Sequence, residues 1–240
     1  MADKKNKNLL AVCLALLVGF VSALALCVLA LNTPVPVAAA AKLKVVIDAG
    51  HGGVDGGVTG KSGVKESDIN LQITLQLKDV LEEAGFDVTL TRKTSSGLYG
   101  VATKGFKKRD MLRRKEIIEL AAPDLVISIH QNFYSSSATR GGQVFYDKNS
   151  ALSQALAASI QQPLNELYAK QSVKARVEKT GEYYILQCTN YPSVIIECGF
   201  LSNVKDEALL KSNDFKHKLC SSIAAGVLSY LQTQGTAGFA

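Results

Sequence analysis

Residues 44–57, KVVIDAGHGGVDGG, decide the fold: a β-branched run passes straight into a turn crowded with glycine, and a helical pattern follows. Lys44-Val45-Val46-Ile47-Asp48 reads as a strand, and the glycines after it free the backbone to wrap at the strand's carboxyl end. From about Glu66 to Ala84, apolar residues recur at Ile69, Ile73, Leu77, Val80, Leu81 and Ala84, a helical stripe that Gly85 closes. Asp87–Thr91 reads as a second strand. Short β-branched runs alternating with longer helical ones are the pattern of an α/β layer fold.

The alternation continues outward. Residues 104–114 are basic and poorly patterned, then a helix runs to about Ala121, and Pro123 precedes the strand Leu125-Val126-Ile127-Ser128-Ile129-His130. Gln143–Tyr146 is a strand and Ser150 to about Tyr168 a helix. The apolar runs near Tyr183–Leu186 and at Ser193–Cys198 read as strands, with helices at roughly 204–211 and 214–232. The prediction is a single α/β domain over residues 43–232, with a mostly parallel or mixed twisted sheet flanked by helices. Its chemistry belongs at the strand carboxyl ends, and residues 233–240 form a tail.

Ahead of that domain, residues 9–31 carry no charge. As a helix they would reach about 34 Å, enough to cross a bilayer. Lys4, Lys5 and Lys7 in the basic stretch 1–8 fix the cytoplasmic side, so the domain lies outside the membrane. Two readings stand for the segment. It is a retained transmembrane span, or a signal peptide cleaved near Val37–Ala41 in the linker 32–42. Leu26 before Cys27 argues against a lipoprotein anchor. Both readings export the domain, tethered to the membrane or secreted to the wall.

The chain carries a formal charge of +6, and residues 1–31 hold three of its 27 basic and one of its 21 acidic residues, which leaves +4 for the exported part. That excess suits an anionic envelope polymer better than nucleic acid, for which no motif is present. Cys188, Cys198 and Cys220 show no CxxC spacing and no disulfide framework, and read as small buried hydrophobes.

Four residues carry the candidate chemistry. His51 follows one strand and His130 ends another, so two of the chain's three histidines can meet at one sheet edge. Hydrolytic zinc sites keep three protein ligands, often two histidines and a carboxylate, and leave one position open. Glu66 opens the helix after the glycine loop and can supply the carboxylate; the other reading is a charge favoured by the helix dipole. Glu197 ends the apolar strand of Ser193–Cys198, where a carboxylate is costly unless used or paired. A general base and a structural salt bridge both fit it.

Five ordered segments together resemble the zinc-dependent N-acetylmuramoyl-L-alanine amidases of the amidase 3 type: Ile47–Gly53, Glu66–Leu71, Thr89–Arg92, Ser128–Asn132 and Glu197–Asn203. The resemblance spans residues 43–231. It implies a bacterial cell-wall hydrolase with His51, Glu66 and His130 as zinc ligands and Glu197 as catalytic glutamate. The substrate is then peptidoglycan and the enzyme a monomer, with room for a protein activator. Gln131 stands where alanine is usual and Cys198 where threonine or valine is frequent. Arg114 matches the family's arginine and is either structural or substrate-positioning, while Asn132, close to His130, either makes an ordinary structural hydrogen bond or binds substrate or supports a metal ligand. Only 66 residues separate His130 from Glu197, too few for an inserted occluding helix. Two rivals remain: a non-catalytic wall-binding module of the same fold, and a zinc peptidase of the stem peptide.

Overall fold

The structure, a computed structural model, describes residues 14–24, 26 and 42–237. The chain divides into two compact units, Met1–Ala41 and Lys42–Ala240. In the first, residues 14–24 are helical. Among the described residues no helix is long and apolar enough to cross a membrane. The basic stretch 1–8 and residues 9–13, 25 and 27–31 of the apolar segment lie outside the described residues, as does the linker up to residue 41.

The second unit is built on a six-stranded mixed sheet. Its strands are β1 (Lys44–Ala49), β2 (Asp87–Leu90), β3 (Leu125–Asn132), β4 (Gln143–Tyr146), β5 (Lys179–Thr180) and β6 (Ser193–Phe200). They lie in the order β2-β1-β3-β6-β4-β5. All neighbours are parallel except β4 and β6. The helices are α1 (Glu66–Glu83), α2 (Phe106–Ala121), α3 (Ala151–Ala169), α4 (Tyr184–Gln187), α5 (Val204–Lys211) and α6 (Asn213–Ala237).

Strand alternation sorts the side chains onto two unequal layers. Val45, Ile47, Leu125, Ile127, Ile129, Val194 and Ile196 face one way and pack with Ile73 and Leu77 of α1, Leu156 and Ile160 of α3, and Leu219 and Ile223 of α6. The opposite face is thin. There Val46, Val126 and Ile195 meet Ile118 of α2 and Ile185 and Leu186 of α4, with Met111, Ala121, Phe145, Cys188 and Tyr191 partly buried around them. His130 and Glu197, on the parity of Val126 and Ile195, belong to this thin side and are register partners across β3 and β6. A thin layer leaves a cleft beside them.

Local signals account for most boundaries. Ser150 caps α3 by accepting from Ser153 N at 3.2 Å. Gly85, with φ of 96°, ends α1 in a Schellman turn closed by Phe86 N to Leu81 O. Two expectations are corrected. The run 183–186 is not a strand, because Tyr184–Gln187 is helical; four apolar residues carry no decisive period. The basic stretch after residue 104 is ordered helix from Phe106, and its buried residues are Asp110, Arg114 and Ile118. Two of those three are charged, so no apolar stripe appears in the sequence. At the other end α6 continues to Ala237, into the residues expected as a tail.

Candidate metal centre

The site begins with the backbone at the end of β1. Arg92 donates from Nε to Ala49 O (2.9 Å) and from Nη2 to Gly50 O (3.0 Å) and Ser67 O (2.8 Å). Arg114 donates from Nη1 to Ala49 O (2.8 Å) and from Nη2 to His51 O (2.7 Å). Two guanidinium forks thus hold three successive carbonyls, which fixes His51 at a φ of 60°, a left-handed conformation uncommon for histidine. Arg114 is 2% exposed and pairs with Asp48 and with Asp110 (2.7 Å). Asp48 also accepts from Thr91 Oγ1 (2.7 Å) and Ser128 Oγ (2.6 Å). Burial alone would raise the Asp48 pKa, but Arg114 and the two hydroxyls outweigh it and hold it at about 2. Arg114 is therefore a structural residue. It anchors the loop that presents His51.

Three candidate ligands converge above that base. Glu66, the first residue of α1, is 3% exposed, and its Oε1 lies 2.9 Å from His130 Nδ1 and 3.3 Å from His51 Nε2. One ligand atom from each of the three falls within 4.8 Å of the others. The glutamate is oriented by backbone donors, Val58 N to Oε2 (2.9 Å) and Gln131 N to Oε1 (3.1 Å). Asn70 Nδ2 bridges Gly50 O and Glu66 Oε1, while Gln131 Nε2 holds Asn70 Oδ1 at 3.1 Å. Gly50 is required by crowding, since a Cβ there would lie 2.3 Å from the His130 ring. Burial opposes charge on Glu66, yet the two histidines pull its pKa well below the carboxylate range.

His51 carries its own support. Nδ1 lies 3.1 Å from Asp55 Oδ2, leaving Nε2 to point toward Glu66. A carboxylate behind a ligating imidazole fixes its tautomer and orientation, the arrangement common behind metal-bound histidines. Burial works against protonation of His51, but Glu66 and Asp55 together raise its pKa. The donor set fits a divalent metal: two imidazole nitrogens and one carboxylate oxygen, backed by Asp55 and Asn70, with the fourth side open to the cleft.

Glu197 stands beside this group without a partner. It forms no ion pair among the described residues, and its Oε2 is sealed from solvent with no hydrogen bond. Burial, countered by His130 and aided by Glu66, pushes its pKa up to about 7. The salt-bridge reading of Glu197 thus finds no cation. A cleft of about 320 Å³ joins Glu197 to His51 and His130. Tyr99, Phe106 and Lys107 form one wall of it, and Tyr183, Tyr184 and Ile185 the other. The Asn132 side chain accepts from Phe133 N, a local bond, and its carbonyl from Leu201 N at 2.9 Å.

Sequence reasoning assigned no role to Asp55, Asn70 or Arg92. Arg92 lay inside a quoted segment and Asp55 four residues beyond His51, but neither spacing specifies a partner. The two departures noted at Gln131 and Cys198 are both buried, Gln131 within the Asn70 network and Cys198 under the strand.

Residues 45–229 match the Amidase_3 family, described as N-acetylmuramoyl-L-alanine amidase. The chain is 34% identical over 194 residues to the germination-specific N-acetylmuramoyl-L-alanine amidase of Bacillus subtilis (strain 168), covering 80% of this chain and 81% of that protein. It is also similar to the CwlD amidase of Clostridioides difficile, solved in complex with the GerS lipoprotein. That likeness has a TM-score of 0.76 and 37% identity over 80% of this chain and all of the other. The catalytic domain of CwlV, an amidase of Bacillus (Paenibacillus) polymyxa var. colistinus, matches with a TM-score of 0.69 and 30% identity, over 79% of this chain and 98% of that one.

Proposed function

The chain belongs to the N-acetylmuramoyl-L-alanine amidase family, and on that premise we propose that His51, Glu66 and His130 hold zinc and that Glu197 is the general base and then the general acid of the reaction. The chain is an enzyme that hydrolyses an amide bond of peptidoglycan. The bond is the one between the lactyl group of N-acetylmuramic acid and L-alanine of the stem peptide. The observation that carries the assignment of Glu197 is its unpartnered, buried Oε2 beside the ligand group, with a pKa near neutrality.

Zinc held at these three side chains would supply Lewis acidity to the scissile carbonyl and to the attacking water. The protein residues do the rest. Glu197, ionised, takes the proton of the attacking water, and as the carbon–nitrogen bond breaks it returns that proton to the departing alanine amine. Burial, which raises the Glu197 pKa in the metal-free protein, makes the carboxylate a stronger base than an exposed one while leaving it acidic enough to return the proton. Asp55 and Asn70 keep His51 and Glu66 in register, and the arginine forks beneath hold the loop still.

The apolar segment 9–31 is proposed to export the domain, either as a retained tether or as a cleaved signal, so that it meets the wall outside the membrane. A protein activator is proposed from the likeness to the amidase solved with a lipoprotein.

The full chain, solubilised in detergent, tests this reading by elemental analysis and by mass spectrometry of peptides released from peptidoglycan with and without a chelator. About one zinc per chain and chelator-sensitive release of peptides with a free L-alanine amine are expected. Release of peptides cut inside the stem would replace the amidase by a peptidase. Glu197→Ala should keep zinc and lose turnover, whereas His51→Ala and His130→Ala should lose the metal. Zinc retention by both histidine variants would remove the ligand assignment.

A further inference from the structure

The cleft has an aromatic wall that the proposed chemistry does not use. Tyr183 caps the start of α4, and its ring meets the Phe145 ring edge-on, with centroids 5.7 Å apart and planes at 77°. Gly181 makes room for it, since a Cβ there would come within 2.3 Å of the Tyr183 ring. Phe145 pairs with Ile195 across β4 and β6, and Gln143 with Glu197. The bracing ring therefore stands one pair from Glu197, on the strand face that Ile195 and Glu197 present to the cleft. The Glu197 charge, added to burial, raises the Tyr183 pKa, so the phenol stays protonated.

Two other tyrosine hydroxyls of the domain are occupied. Tyr168 donates to Cys198 O at 2.6 Å, and Tyr99 accepts from Val54 N at 2.7 Å. Tyr183 Oη has no hydrogen-bond partner among the described residues; the residue is 41% exposed, which leaves the hydroxyl open to the cleft, while its ring is fixed on two sides. Neighbouring Tyr184 faces the charge of Lys115 instead. A braced donor, unspent and beside the proposed base, has a use in an amide hydrolysis.

We propose that Tyr183 is a further catalytic residue, whose hydroxyl donates a hydrogen bond to the carbonyl oxygen of the scissile amide as that oxygen gains negative charge. The role rests on the amidase reading above. No proton is transferred: the donor stabilises charge that exists only as water adds to the carbonyl, so its removal lowers turnover more than ground-state binding.

Tyr183→Phe keeps the ring and its packing on Phe145 and deletes only the donor. In the full chain, with N-acetylmuramoyl-tetrapeptide as substrate, kcat should fall ~10–100-fold while KM stays within about threefold. Bound metal should be unchanged. An unchanged kcat, or a rise in KM alone, overturns the proposal and leaves Tyr183 as cleft wall. A second measurement does not depend on turnover. N-acetylmuramic acid presents its lactyl carboxylate oxygen where the amide carbonyl stood, and its calorimetric affinity should drop roughly tenfold in Tyr183→Phe. Equal affinity in both proteins, or none in either, overturns the role. Activity surviving in Glu197→Gln would remove the base assignment alone, since the Tyr183 comparison is made against the wild-type chain.

Discussion

Beneath the His51 loop, Arg92 and Arg114 are buried with each guanidinium nitrogen bonded to a carbonyl or carboxylate. Above the same loop, Glu197 is shielded with an oxygen that nothing donates to. Both clusters place charge in a poorly hydrated interior, where an unpaired group costs several kcal/mol and a fully bonded one does not. The difference separates scaffold from chemistry. Asp48 is satisfied and held ionised, whereas Glu197 is unsatisfied and held near the point of titration.

The sharpest way to break that comparison is Glu197→Gln. If Glu197 is unsatisfied because it moves protons, kcat should fall ~10²–10⁴-fold with zinc content intact and the fold no less stable. Steady-state kinetics and elemental analysis read this out, and a variant with near-normal turnover would make Glu197 scaffold after all. Arg114→Ala tests the other side. It leaves buried Asp48 without its cation and frees the His51 carbonyl, while Ala49 O keeps Arg92, so urea unfolding should show a loss of ~3–5 kcal/mol. A loss under about 1 kcal/mol would mean that the ionic lattice does not hold the loop.

The sequence disclosed these two clusters unequally, for a physical reason. His51, His130 and Glu197 were legible because each follows or ends an apolar strand where a polar group is conspicuous. Glu66 was legible through its place at a helix start after a glycine loop. The lattice below was legible only at Arg114, through the family resemblance and without its partners, since Asp110 and Arg114 lie on the inward face of α2 within a basic, poorly patterned run. Long-range pairs such as Arg114 with Asp48 have no local signature. The helical turn at Tyr184–Gln187 was misread for the opposite reason, because Ile185 and Leu186 are buried but too few to show a period.

Titration distinguishes the clusters by sign. Glu197 has a folded pKa raised to about 7. The native apoprotein therefore binds that proton more tightly than the unfolded chain, and Glu197 lowers stability as pH rises from the ordinary carboxylate range toward 7. Asp48, held at about 2, does the reverse: its contribution is present above the unfolded value near 4 and is lost as pH falls through 2. Chelated wild-type and Glu197→Gln proteins, unfolded in denaturant between pH 4 and 8, isolate the first effect. The wild type should lose up to ~3 kcal/mol relative to the variant, at about 1.4 kcal/mol per pKa unit. Parallel curves would show that Glu197 carries no buried charge.

The smallest expected effect sits at the seam between the clusters. Asp55 is 3.1 Å from His51 Nδ1 and 3.5 Å from Lys107 Nζ, so it belongs to neither the buried lattice nor the open ligand group. If it serves the site, it does so by holding the His51 tautomer that leaves Nε2 free to face Glu66. Asp55→Asn keeps the size and an acceptor oxygen but removes the charge, and should weaken zinc binding ~10–100-fold in a competition titration. The fold should be unaffected, because Asp55 lies at the cleft rim and buries little. Lys107→Met supplies the control for charge alone: it leaves the Asp55–His51 bond in place and should leave zinc affinity within about threefold. Equal weakening in both variants would mean that the local field, rather than the fixed tautomer, tunes the ligand, and the line between scaffold and chemistry would then run on the far side of Asp55.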